Sequence, residues 1–262
     1  EKQRRLCEIF QCWNEKTNQK IMKKYLSACD FSTNNPSEVY KWCQSDSESL
    51  FNTHVRYKRT NNKLKALGWT KDSITYEYNS DGFRDKEFES GGICFFGCSY
   101  GYGVGVKAED RFSNIIQNTL GIRCNNLCVP GSGSDTTARI LPYWIEKLKP
   151  IIVVNHFLFP VRREIVNDDS TISLWLPRYM PRKKFRHMIR DDVVKELTQK
   201  NISTIQQCCN NKNIAYIESN DLMNDSLGRD LDHPGTKTHI EIAKTFLTTI
   251  KQNLKNETVD KN

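Results

Sequence analysis

At 262 residues the chain can hold one large domain with an extension, and 37% hydrophobic with 27% charged residues is a globular composition. No apolar run has the length of a membrane-spanning helix, so none is expected. The net charge of +8 (39 Lys and Arg against 31 Asp and Glu) favours anionic partners such as acidic polysaccharide, lipid headgroups or nucleic acid.

Glu1-Lys2-Gln3-Arg4-Arg5 is not followed by an apolar stretch, so no secretory signal is read there. Residues 1–75 differ from the rest. Leu6, Ile9, Phe10, Trp13, Ile21, Tyr25 and Leu26 have helical spacing, and Val39, Tyr40, Trp42 and Cys43 predict another helix. Asn34-Asn35-Pro36-Ser37 breaks between them, with Ser37 as the expected N-cap. The expectation is a helical N-terminal extension over 1–75, serving as a protein docking element, followed by a hydrolase-like domain over 76–262.

From about residue 76 strands and helices alternate. Ile93–Phe96 predicts a buried strand, 111–120 a helix, 123–129 a second strand and 136–148 a helix with Ile140, Leu141, Trp144, Ile145 and Leu148 on one face. Residues 151–159 predict the third strand, 190–209 a long helix, 214–217 a fourth strand and 240–254 a closing amphipathic helix. Such alternation argues for an α/β fold with a parallel sheet covered on both faces. Ligands in these sheets bind beyond the carboxyl ends of the strands, and Ser99, Gly131 and Pro160 all follow predicted strand ends.

Gly97-Cys98-Ser99-Tyr100-Gly101-Tyr102-Gly103 follows the first of these strands. Glycines there let a backbone approach a ligand, and exposed N–H groups can hold an oxyanion. A serine in a Gly-rich turn is the plain alternative. The dinucleotide fingerprint fails because Val106 stands where its third glycine is needed, and the phosphate-loop pattern fails in register. The Gly-x-Ser-x-Gly elbow of α/β-hydrolases fits locally, but that fold sets several strands ahead of the serine where this chain reads as helical. Cys98 is a weaker nucleophile candidate, since its side chain should point away from that of Ser99.

The second informative stretch is Asp230-Leu231-Asp232-His233-Pro234-Gly235. Pro234 and Gly235 force a turn that sets His233 at a loop tip, and Asp230 is close enough to hold one imidazole nitrogen. A serine hydroxyl needs such a base to lose its proton, and the base needs a carboxylate to fix its tautomer. A surface turn capping the last helix is the alternative. No cysteine or acidic spacing around His233 or His239 makes a zinc motif, so neither a metal nor a cofactor is expected.

These residues resemble the SGNH (GDSL-type) hydrolase superfamily, whose first block is Gly-Asp-Ser-x-x-x-Gly and whose last is Asp-x-x-His. The resemblance covers roughly residues 78–255. Tyr78-Asn79-Ser80-Asp81-Gly82-Phe83-Arg84 resembles the segment that leads into the serine block, especially in phage-encoded members. It implies a flavodoxin-like three-layer α/β/α sandwich and a serine esterase, with Ser99 as nucleophile, Asp230 and His233 as its relay, and the N–H groups of Ser99 and Gly131 as oxyanion donors. It also implies an ester substrate, for which O-acetyl groups on carbohydrate are preferred because no long apolar segment suggests an acyl-chain tunnel.

Two departures stand out. Cys98 replaces the usual Asp before the serine, outside the relay. In the third block a Gly-x-Asn is expected after the third strand, but Asn155 lies inside it and no Asn occurs from Pro160 to Arg163. Three outcomes stay open: Arg162 or Arg163 substitutes as a donor, the enzyme is slow, or the fold serves binding as a virion, assembly or glycan-binding component.

The stretch from Arg178 to His187 is basic and interleaved with aromatic residues. It is read as overhanging the crevice, either as a lid for an anionic or glycan substrate or as a nucleic-acid contact, with a plain solvated loop as the alternative. The ten cysteines form no Cys-x-x-Cys pair or regular framework, and several sit in apolar runs. The expected setting is a reducing cytoplasm, with virion association if the phage-like resemblance holds.

Overall fold

A computed structural model of the chain describes residues 36–156, 161–166, 172–175, 191–219 and 226–259. The helix expected over residues 6–26, Pro160, and the basic stretch at 178–187 lie outside them.

The described chain opens with β1 (Val39–Tyr40), α1 (Glu48–Arg56), α2 (Lys58–Ala66) and β2 (Tyr76–Glu77). Then come β3 (Ile93–Gly97), α3 (Ser99–Tyr102), α4 (Phe112–Leu120), β4 (Cys124–Asn126), α5 (Ser134–Leu148) and β5 (Ile152–His156). A hairpin of β6 (Arg163–Val166) and β7 (Ile172–Trp175) precedes α6 (Asp191–Asn210), β8 (Ala215–Ser219) and α7 (Thr236–Val259).

The central sheet runs in the order β4-β3-β5-β8, with every pair parallel. Among its own strands that is second-first-third-fourth, the flavodoxin-like winding. Every residue of β3 is buried, as expected of a strand covered on both faces. Its alternate side chains serve two cores. Ile93 and Phe95 pack with Ile116 of α4 and with Ile242, Phe246 and Ile250 of α7. Cys94 and Phe96 pack with Ile140, Leu141, Trp144, Ile145 and Leu148 of α5 and with Ile205 and Cys209 of α6. The α/β/α layering expected from the sequence is therefore the observed one, and the predicted apolar stripe of α5 faces its core.

The stretch expected to be helical around Val39 and Tyr40 is instead an edge strand. It pairs antiparallel with Tyr76 and Glu77, and the Tyr40 ring meets Tyr78 edge-on at 5.9 Å. Ser37 adopts a left-handed conformation (φ 63°) rather than an N-cap geometry, and its N–H bonds Asn79 O. The helix start nearby is Ser47, whose Oγ accepts from Leu50 N at 3.2 Å. Tertiary pairing overrides a weak local helical spacing here.

Among the described residues, all seven cysteines are free: Cys43, Cys94, Cys98, Cys124, Cys128, Cys208 and Cys209. No described helix is long and apolar enough to cross a membrane.

Candidate active site

The serine turn is clamped from two sides. β3 ends at Gly97 and Ser99 opens α3, with Tyr102 N donating to Cys98 O and Gly103 N to Ser99 O, both at 3.0 Å. The Arg84 guanidinium is buried and donates to the carbonyls of Thr75 (2.9 Å), Val106 (2.9 Å), Tyr102 (3.3 Å) and Gly103. Its neighbour Asp85 accepts from Asn126 N at 2.9 Å and pairs with Arg111 and Arg123. The Asn126 carboxamide then donates to Gly101 O at 2.8 Å. Ser99 itself is 3% exposed, and its Oγ makes no hydrogen bond to any described residue.

The loop carrying Asp230 and His233 folds back on itself. Gly228 N donates to His233 O and Gly235 N to Ser226 O, each at 2.8 Å. Leu231 is left-handed (φ 57°), a conformation a branched apolar residue keeps only when its surroundings impose it. This turn lets Asp230 Oδ1 accept from the N–H groups of Asp232 (3.2 Å) and His233 (3.1 Å). Its Oδ2 lies 2.5 Å from His233 Nδ1. Burial raises the Asp230 carboxyl, but the His233 side-chain bond, its charge and the two N–H donors outweigh burial and hold it below its usual value. With Nδ1–H given to the carboxylate, Nε2 is the basic nitrogen of the ring.

The two blocks meet. Arg229 N donates to Gly105 O at 2.8 Å, and the His233 ring lies edge-on to Tyr100, the residue after Ser99, with centroids 6.0 Å apart. Asp230 and His233 are thus joined directly, and His233 sits against the neighbour of Ser99 without a closed bond to its Oγ. Catalytic hydrogen bonds are often open before substrate binds.

Gly131 occupies the loop after β4, pinned to the end of β3 by Val129 N to Gly97 O (2.9 Å) and Ser132 Oγ to Gly97 O (2.8 Å). Its φ of 80° is open to glycine and strained for other residues, and it sets the direction of the Gly131 N–H. Of the two arginines proposed as substitute donors, the buried Arg163 is committed elsewhere: it donates to Arg162 O, Val194 O and Thr198 Oγ1. Arg162 lies beside Gly133 and Tyr100. Its carbonyl is only 2.6 Å from where a Cβ on Gly133 would stand, and its charge acts on Tyr100. Asn155 lies within β5, wholly buried, with its amide donating to Tyr216 Oη at 3.2 Å.

His156 closes β5, paired in register with Gly97 of β3. Its ring lies 6.4 Å from Tyr100, 5.5 Å from Phe112 and 5.8 Å from Phe246, so it packs beneath the serine turn. A polar residue ending the most hydrophobic strand was the available sequence signal for it. Asp46, His54, Trp69 and Arg229, all of which touch the Asp230 loop or its contacts, had none. Among the described residues, no group of three or more His, Cys, Asp or Glu side chains is placed to hold a metal ion.

No protein-family model matches the chain, and no curated protein matches it. Solved structures similar in fold include the psychrotrophic esterase EstA from Pseudoalteromonas sp., at 18% identity and TM-score 0.34, over 64% of this chain and 100% of that one. A family two carbohydrate esterase from Clostridium thermocellum aligns at 18% identity and TM-score 0.36, over 65% of this chain and 66% of that one. A GDSL-like lipase from Bacteroides ovatus aligns at 14% identity and TM-score 0.36, over 69% of this chain and 57% of that one. At such distances the chemistry of this chain has to be read from its own side chains.

Proposed function

We propose that this protein is a serine ester hydrolase of the SGNH type. The observation that carries the reading is the buried Asp230 carboxylate, which holds His233 by both ring and backbone beside the serine turn. In the reaction, His233 Nε2 takes the Ser99 Oγ proton as Oγ attacks the ester carbonyl carbon. The carbonyl oxygen becomes an oxyanion that accepts from the N–H groups of Ser99 and Gly131, with Arg162 as an additional cation in place of the absent Asn. The imidazolium passes its proton to the leaving alcohol. Water, deprotonated by His233, then releases the acid and restores Ser99. Asp230 stays ionised throughout and stabilises the imidazolium.

The substrate class we propose is O-acetyl on carbohydrate. Tyr100, the residue after Ser99, meets the His233 ring and feels the Arg162 charge, and aromatic and charged groups there suit a small acyl group on a polar alcohol better than a long acyl chain. The test is hydrolysis of p-nitrophenyl acetate and of an acetylated glycan, with octanoate as the contrasting ester. Turnover should favour acetate and vanish in Ser99→Ala. His233→Ala should lose about a hundred- to ten-thousand-fold. A second reading, a binding protein on the same fold, is favoured by the Ser99 hydroxyl's lack of a hydrogen-bond partner among described residues. Wild-type protein inert toward every ester but retaining glycan affinity would select it.

A further inference from the structure

The segment ahead of the sandwich reaches the Asp230 loop through three separate contacts. Trp69 Nε1 donates to Leu227 O at 2.9 Å, and His54 Nε2 lies 3.0 Å from Asp230 O. The third is the largest. Arg229, fully buried, is gripped by Asp46 through Nε (3.0 Å) and Nη2 (2.7 Å), and donates to Lys71 O (2.9 Å) and Lys41 O (2.7 Å). The Trp42 ring covers the guanidinium, 4.0 Å from its carbon.

These bonds close a ring. Gly105 N donates to Tyr76 Oη (3.0 Å), Tyr76 Oη donates to Asp46 Oδ2 (2.6 Å), and Asp46 holds the Arg229 side chain. The Arg229 backbone N–H returns to Gly105 O. One side of the ring is the chain just past Ser99, and the other is the residue just before Asp230.

We propose that residues 41–72 brace the Asp230–His233 loop, with Arg229 as a positioning residue anchored by Asp46, so that a segment outside the sandwich sets the orientation of the imidazole. Stability alone does not require this arrangement, because a buried ion pair pays heavy desolvation and an apolar pair of similar volume would hold the fold as well. What the pair adds is register: five directional bonds fix Arg229, and the left-handed Leu231 beyond Asp230 needs such fixing. The brace deepens the esterase reading and rests on it for its catalytic consequence.

The test compares wild type with Asp46→Asn, Trp69→Phe and His54→Ala, each checked for folding by circular dichroism. Two readouts are taken: kcat and KM on p-nitrophenyl acetate, and the far-downfield proton resonance of His233 Nδ1–H. Asp46→Asn should lower kcat about a hundred-fold with KM within about twofold, the cost of a misplaced reacting group. It should also shift or broaden the downfield resonance. Trp69→Phe and His54→Ala should do the same a few-fold, and they carry the test if Asp46→Asn does not fold. Folded variants with wild-type kcat and an unmoved resonance overturn the brace. A wild type that cleaves no ester, yet shows the resonance and loses it in the variants, removes the esterase reading and leaves the brace standing.

Discussion

Gly105 fixes how closely the two halves of the site approach each other. It has φ 75°, and a Cβ there would stand 2.9 Å from Arg229 N, 3.0 Å from Asp230 Oδ1 and 3.1 Å from Gly228 Cα. A Cβ on Gly228 would in turn stand 2.9 Å from Gly105 O. Two of the three neighbours of the Gly105 position are backbone atoms, and the third is a carboxylate oxygen already held by the N–H groups of Asp232 and His233, so none gives way cheaply. Gly105→Ala should therefore cost about 1–3 kcal/mol in strain and lower turnover by moving Asp230, read as a drop in melting temperature together with kcat. Unchanged values for both would contradict this account of the contact. At this scale Ser99, Asp230 and His233 could be singled out from the sequence because the chemistry proposed for them demands those residue types at strand ends and turns. Gly105 drew no reading of its own: the dinucleotide fingerprint was tested at Gly101 and Gly103 and fails at Val106. Arg229 stood in plain view beside Asp230, but its partner Asp46 lies 183 residues earlier in the chain, and no local pattern links them.

The elements position the site through the winding of the sheet. β3 lies between β4 and β5, so the chain leaves it in one direction and returns on the other side, opening a crevice beyond its carboxyl end. Ser99 follows β3, Gly131 follows β4 and His156 ends β5, which brings three loops to one rim. The long buried strand and the amphipathic helices were readable because burial on one or two faces leaves a periodic apolar signature. The predicted strand at 123–129 is regular only over Cys124–Asn126, but Leu127 N to Phe95 O (2.8 Å) and Val129 N to Gly97 O (2.9 Å) keep the chain against β3 as far as Val129. The β6–β7 hairpin was not read at all. Its strands are four residues each and it forms its own two-stranded sheet, so its apolar alternation is too short to stand out. β1 escaped notice for a similar reason: two residues that pair with a distant strand carry no period of their own.

Across the whole molecule, acid should undo the fold through a buried imidazole on α7. His239 is fully buried, stacks on Phe112 at 5.7 Å, and accepts from Phe112 N through Nδ1 at 3.3 Å. Burial first, then the charges of His156, Arg111, Arg84 and His233, push it down to about 3. An unfolded histidine protonates near pH 6.5, so from about 6.5 down to about 3 the unfolded chain binds the extra proton and stability falls with pH. Asp230, held below its usual value, adds a loss of the same sign only below about pH 4. His239→Gln keeps an acceptor for Phe112 N–H, and should flatten the decline of melting temperature between pH 6.5 and 4. Parallel curves for the two proteins would show that His239 does not set it. The wider claim is that folding brings residues from opposite ends of the sandwich into one proton path. A fluorophosphonate probe tests this most directly, with the adduct mapped by peptide mass spectrometry on wild type, Ser99→Ala and His233→Ala. The account predicts one adduct, on Ser99, absent from Ser99→Ala and formed at least a hundred-fold more slowly in His233→Ala, in line with the usual share of general-base assistance. No adduct on a folded wild type, or labelling indifferent to His233, would contradict it.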